Sequence, residues 1–193
     1  MSIKTNFKHT IAACYIGYIT QAIINNFIPL LFIMFHNTYN ISLEKIGLLV
    51  TVNFATQLLV DFISAKLADK IGYRPLIVAA HIFAAIGLIL LAFLPDILPN
   101  PYTGLCISII LYAIVGGLTE VLISPIVEAC PSENKSAAMS LLHSFYCWGS
   151  VLVVLGTTIF FFLFGIENWK IIACIWAIIP IINILYFSLV PIN

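Results

Sequence analysis

Charged residues are scarce in this sequence of 193 residues: Asp, Glu, Lys and Arg together make up only 8%. A soluble domain carries about a quarter of its residues as charged side chains, because its surface must face water. Hydrophobic residues instead reach 62%, and the mean hydropathy is +1.12. A soluble fold of this length does not bury that much apolar surface, so lipid is the solvent that fits.

Other absences exclude further classes of protein. The formal net charge is zero, which gives no electrostatic basis for binding nucleic acid. The five cysteines form no CxxC pair and no zinc-like spacing, and an odd number argues against a closed set of disulfides. No HExxH or GxSxG motif is present, and an intramembrane enzyme would have to pair Asp61 with Glu120 from separate helices. We therefore expect no enzyme, no metal and no cofactor.

Long apolar runs dominate what is present. A bilayer core needs a helix of roughly 20 apolar residues. Runs of this kind, separated by segments rich in Pro, Gly and Asn, predict a single all-α transmembrane bundle over residues 1–193. Its six predicted spans are 9–35, 46–68, 75–94, 102–128, 137–164 and 171–189.

The basic residues predict the orientation of this bundle. With a cytoplasmic N-terminus, six basic residues lie on the inner side: Lys4, Lys8, Lys66, Lys70, Arg74 and Lys135. Only Lys45 and Lys170 then lie outside. Cytoplasmic loops carry the excess of Lys and Arg, so this bias and the even number of spans predict that both termini are cytoplasmic. We expect this multi-pass protein in the cell (plasma) membrane.

Ionisable residues inside the spans need a reason, because a charge at mid-membrane costs about 2.5–3.5 kcal/mol on insertion scales. Asp61 in the second span and Glu120 in the fourth lie roughly 10–12 Å from the cytoplasmic edge at the helical rise per residue. His143 in the fifth span reaches a similar depth. The three groups are therefore predicted to share one layer.

Polar residues recur at helical spacing, which indicates faces turned towards other helices or a wet cavity. The stripes are Tyr18, Gln21 and Asn25; Asn53, Gln57 and Asp61; and Gly116, Glu120 and Ser124. From them, the candidate proton- or solute-binding residues are Glu120, Asp61, Asn25, Gln21 and His143. The alternative for each is a structural hydrogen bond between helices, and for Asp61 an ion pair with Lys66.

The segment 65–75 reads AKLADKIGYRP and resembles the signature between the second and third helices of the major facilitator superfamily. That signature is Gly-x-x-x-Asp-Arg/Lys-x-Gly-x-Arg, and Asp69, Lys70, Gly72 and Arg74 match it, while Ala65 replaces the first glycine. The resemblance implies one half of a twelve-helix transporter, built as two inverted three-helix repeats. It also implies that the four matching residues form a cytoplasmic gating motif.

A second stretch, 117–125, is similar to the fourth helix of the fucose/galactose/glucose–proton symporter branch. There a glutamate that handles protons or sugar corresponds to Glu120. Asn25 stands where that branch has an aspartate.

The resemblance implies a secondary active transporter that moves a small, sugar-like solute by alternating access, coupled to protons. Its expected partners are the solute, protons, the lipid bilayer and a second six-helix half, either a missing C-terminal part or another chain. Two alternatives stay open from the sequence. One is efflux of a drug or metabolite by the same fold, and the other is a non-transporting scaffold or partial gene product.

Overall fold

The computed structural model describes residues 3–131 and 134–192. Its α-helices are α1 (Phe7–Phe27), α2 (Phe32–Tyr39), α3 (Leu43–Ile71), α4 (Tyr73–Ile97), α5 (Pro101–Ala129), α6 (Lys135–Phe164) and α7 (Trp169–Leu189). Because α1 and α2 run on as one segment, Phe7–Tyr39, the described residues contain six helices long and apolar enough to cross a membrane. The prediction of an all-α protein with six long apolar helices is confirmed.

The helices extend further than the predicted spans, and three predicted breaks are too long. The predicted spans leave gaps at 36–45, 69–74 and 95–101. In the structure α2 continues to Tyr39, α3 continues to Ile71, and α4 runs from Tyr73 to Ile97. Each added residue of a formed helix gains a backbone hydrogen bond, so polar ends stay helical beyond the apolar run. Even Pro95 lies inside α4.

The first span is interrupted, which the hydropathy pattern did not predict. Between α1 and α2 the backbone forms a 3₁₀ helix, Ile28–Leu31, with Pro29 in its first turn. Proline has no backbone N–H and cannot continue the α-helical hydrogen bonds, so Pro29 was the available signal. The interruption places Asn25 and Asn26 in the last turn of α1.

The packing pairs helices from the two halves of the chain. The helix α4 packs most extensively against α5 and α7, while α3 packs on α5 and α1 packs on α6. The pairing of the second span with the fourth thus mirrors that of the fifth span with the first, as two three-helix repeats require. The spans α3 and α6 are the least buried of the six, so they carry the largest faces not covered by this chain.

A buried polar network joins three helices at the centre. The fully buried His81 on α4 contacts the Ile77 carbonyl oxygen through Nδ1 at 2.8 Å and Asn183 Nδ2 through Nε2 at 2.9 Å. Asn183 Nδ2 also donates to the Ala13 carbonyl oxygen at 3.1 Å. Since Asn183 donates to Nε2, the proton of the neutral imidazole is on Nδ1.

The start of α1 lies against the end of α7 and the residues that follow it. The hydroxyl of Thr10 donates to the Pro191 carbonyl oxygen at 2.6 Å, and His9 Nδ1 lies 2.7 Å from the Tyr186 hydroxyl. At the opposite end of the bundle, Asp96 accepts a hydrogen bond from Tyr39 and forms an ion pair with Lys170. The start of α1 and the end of α7 therefore lie on the same side of a membrane crossed six times.

Candidate functional site

A cavity of about 460 Å³ opens between α1, α3, α5 and α6. This volume lies in the range of small-molecule sites. Its lining residues are Tyr18, Gln21, Asn25, Phe54, Gln57, Glu120, His143, Tyr146 and Cys147. Most of these side chains are polar or aromatic, although the spans that carry them are mainly apolar.

Asn25 is the centre of a hydrogen-bond network in the cavity wall. Its Oδ1 accepts from Gln57 Nε2 at 2.7 Å and from Asn53 Nδ2 at 3.2 Å. Its Nδ2 lies 3.3 Å from the Tyr146 hydroxyl oxygen and donates to it. Because Asn25 makes three hydrogen bonds, it fixes the positions of its neighbours, and one N–H of its amide is left for a ligand.

Gln21 and Glu120 form the second polar contact of the cavity. Gln21 Nε2 donates to Glu120 Oε2 at 3.0 Å and lies 3.5 Å from the Gly116 carbonyl oxygen. Gln21 is only 5% exposed, and its Oε1 is buried with no hydrogen-bond partner within the described part of the chain. Glu120 itself is exposed to the cavity. An unpaired acceptor thus lies beside an accessible carboxylate.

Aromatic rings and a thiol line the α6 side of the cavity. The ring of Tyr18 lies 5.6 Å from that of His143 and 6.5 Å from that of Tyr146, measured between centroids. His143 and Cys147 are one helical turn apart and both are exposed. Across residues 3–131 and 134–192, no group of three or more His, Cys, Asp or Glu side chains is arranged to hold a metal ion.

Asp61 lies apart from the other predicted site residues. It does not line the cavity, and its Oδ1 is buried without a partner among the described residues. Lys66 is exposed and forms no ion pair with Asp61, since the ion pair found in the described ranges is that of Lys170 with Asp96.

The four residues of the predicted gating motif lie where α3 ends and α4 begins. Asp69 and Lys70 are exposed in the last turn of α3, and Gly72 follows with φ of 90°, a conformation that favours glycine. Arg74 reaches the end of α7 and donates to the carbonyl oxygens of Phe187 at 3.2 Å and Ser188 at 3.1 Å. A cation at these unpaired carbonyls stabilises the helix C-terminus.

Some of the residues that line the cavity are not among the site residues predicted from the sequence. Gln57 lies in the polar stripe of the second span but is not among the predicted site residues, and neither are Phe54 and Cys147. Cys147 had a usable signal, because it lies four positions after His143 on the same helical face. Phe54 had none.

The fold and cavity agree with a comparison to known families. The sequence model of the Major Facilitator Superfamily matches residues 13–192. The chain belongs to this superfamily. No curated protein matched the sequence.

Solved structures of the superfamily superpose closely on the chain. The proton:xylose symporter XylE bound to 6-bromo-6-deoxy-D-glucose gives a TM-score of 0.84 at 13% identity, over 96% of this chain and 45% of that one. The inward open xylose transporter XylE from E. coli gives 0.83 at 15% identity, over 97% and 49%. Its partially occluded inward open form gives 0.84 at 14% identity, over 97% and 50%.

These identities are low, so the superpositions show the fold alone. The chain spans about half the length of the solved transporters that it matches. It therefore has the architecture of one six-helix half of a superfamily member.

Proposed function

We propose that the chain forms the N-terminal half of a proton-coupled secondary transporter that moves a small, neutral, hydroxyl-rich solute across the cell membrane by alternating access. The single observation that carries this proposal is the polar cavity of about 460 Å³ with a carboxylate and an unpaired amide acceptor in its wall. Glu120 carries the proton, and Gln21 and His143 face the solute beside it. The second six-helix half closes the cavity and supplies the rest of the solute site.

The chemistry of the wall favours a neutral solute that brings its own donors. No lysine or arginine lines the described cavity, so an anionic solute would meet Glu120 with no compensating cation. In the cavity wall, Gln21 Oε1 is a buried acceptor without a partner in the described residues. Leaving such acceptors unsatisfied is costly, and the hydroxyls of a sugar satisfy them. Two of the similar solved structures are described as a proton:xylose symporter and a D-xylose-proton symporter, which also favours a sugar as the solute.

Cys147 offers a direct test, because it is exposed and lines the cavity, whereas Cys14 and Cys130 are buried. We expect N-ethylmaleimide to alkylate Cys147 in membranes that contain the full-length protein. At least one of D-xylose, L-fucose, D-galactose and D-glucose should slow this alkylation several-fold, because a bound sugar covers the thiol. The matched control is Cys147→Ser, in which the alkylation that the sugar slows should be absent.

Protection by none of these sugars, with Cys147 still reactive, would show that the solute class is wrong. A second candidate, efflux of lipophilic cations, is favoured by one observation: Glu120 lies among aromatic lining residues without a neighbouring cation. Protection by tetraphenylphosphonium in place of sugars would support it.

We further propose that both termini are cytoplasmic and that Arg74 forms a latch on that side. The charge bias of the loops supports this orientation. The contact of Arg74 with the end of α7 supports the latch, since it joins the third and sixth spans in the conformation described here. Asp69 and Lys70 complete the motif beside it, and Gly72 provides its turn.

Replacing Arg74 should slow transport without weakening solute binding. The Arg74→Ala variant loses its bonds to Phe187 and Ser188, which we expect to change the balance between transport states by about 1 kcal/mol. Uptake should then slow about fivefold, while the sugar concentration that half-protects Cys147 stays unchanged. The control is Lys66→Ala, an exposed cation on the same side. Equal losses in uptake and in protection would contradict a latch.

A further inference from the structure

Gln57 is held in the cavity wall from two sides. The residue is only 8% exposed, yet it lines the cavity. On one side its Nε2 donates to Asn25 Oδ1 at 2.7 Å. On the other side its side chain lies directly against Gly116 of α5. A hydrogen bond and a close contact with the α5 backbone therefore hold the amide where it is.

The missing side chain at Gly116 makes room for this position. A Cβ at residue 116 would lie 2.4 Å from Gln57 Cδ, 2.6 Å from Oε1 and 2.7 Å from Cγ. Non-bonded carbon atoms pack at about 3.5–4.0 Å, so even a methyl group would displace the Gln57 side chain. All three of these close contacts are with the side chain of Gln57 and none is with its backbone.

The neighbouring glycine makes a different contact. A Cβ at Gly117 would lie 2.6 Å from the Gln57 carbonyl oxygen and 2.7 Å from Val60 Cβ. Gly117 therefore allows the close approach of α3 and α5 as whole helices, whereas Gly116 accommodates one polar side chain.

We propose that Gln57 is a solute-contacting residue and that Gly116, together with Asn25, is the positioning residue that places its amide in the cavity. This inference rests on the proposed function of the cavity. One N–H of the Gln57 side chain donates a hydrogen bond to Asn25 Oδ1. The second N–H of its side chain and the side-chain oxygen Oε1 have no hydrogen-bond partner among the described residues. A solute hydroxyl can therefore accept from the remaining N–H or donate to Oε1.

A double-mutant cycle on the full-length protein tests the positioning. The Gly116→Ala variant should lower the melting temperature by several degrees, because the new methyl overlaps the Gln57 side chain. In the Gln57→Ala background the overlapping atoms are gone, so Gly116→Ala should then have no further effect. The matched control is Gly117→Ala, whose clash with Val60 and the backbone should remain in both backgrounds.

Protection of Cys147 by D-xylose, L-fucose, D-galactose or D-glucose tests the solute contact. Gly116→Ala and Gln57→Ala should each weaken protection about three- to tenfold, and the double variant should be no weaker than Gln57→Ala alone. A purely structural role of Gly116 would predict additive losses.

The results separate the two claims. Effects of Gly116→Ala that persist unchanged with Gln57→Ala, or no effect in either assay, would overturn the positioning. If Gly116→Ala does not fold, a folded double variant supports the positioning and an unfolded one overturns it. The melting temperatures can show the expected coupling while no sugar protects Cys147 in the parent chain. In that case the proposed function and the solute contact of Gln57 are both wrong, but the positioning of Gln57 by Gly116 is still supported.

Discussion

The Glu120→Gln variant should exchange solute across the membrane but lose its ability to accumulate it against a gradient. Glutamine keeps an oxygen that accepts the N–H of Gln21, so the contact seen at 3.0 Å is preserved. It has no titratable proton, so the proton gradient no longer drives the cycle. The variant should therefore equilibrate the solute and stop there.

The size of this effect follows from the energy of one proton. A pH difference of one unit is worth about 1.4 kcal/mol, which supports about tenfold accumulation when one proton moves with each solute. The measurement is uptake of the sugar that protects Cys147, into vesicles with an imposed pH gradient. Counterflow exchange in the same vesicles shows whether the solute site is intact.

Asp61→Asn is the matched control, because Asp61 is the other carboxylate of this layer but does not line the cavity. We expect it to keep pH-driven accumulation. Tenfold accumulation that survives Glu120→Gln would show that Glu120 is not the coupling residue. Loss in Asp61→Asn alone would move that role to Asp61.

The Asn25→Leu variant should lose most of its affinity for the solute. Leucine has nearly the shape of asparagine but abolishes the contacts with Asn53, Gln57 and Tyr146. Each hydrogen bond contributes about 0.5–1.5 kcal/mol, so we expect a loss of about 2 kcal/mol, or about thirtyfold in affinity. Protection of Cys147 against alkylation measures it.

Two further variants sharpen this prediction. Asn25→Asp keeps an acceptor for Asn53 and Gln57, and the Tyr146 hydroxyl can turn to donate to it, so affinity should fall by much less than in Asn25→Leu. Asn26→Leu removes the neighbouring amide, which bonds to Ala22 and Ser150 and does not line the cavity. Equal losses in Asn25→Leu and Asn26→Leu would contradict a role of Asn25 in organising the site.

Much of the candidate site was predictable because helical spacing places residues on one face. Glu120, Gln21, Asn25 and His143 were selected from polar stripes and depth, and all four line one cavity. Their roles in binding stay predictions. Asp61 shares the stripe of Gln57 but sits one turn further along α3, off the cavity lining. A polar stripe in the sequence shows which side of a helix is polar. The packing of the neighbouring helix determines which residues of that side are exposed to the cavity.

The sequence by itself determined the class of protein, an all-α protein with six long apolar helices. Apolar segments of about twenty residues are long enough to span a bilayer, and in lipid a segment must form its backbone hydrogen bonds internally, as an α-helix does. The tertiary structure decided which polar atoms meet. Asn25 bonds to Gln57, which lies 32 positions away, and Gln57 packs against Gly116, a further 59 positions along the chain. Arg74 bonds to the end of α7, more than 100 positions away. Such contacts depend on how closely two helices approach and how each is rotated, and hydropathy contains neither quantity.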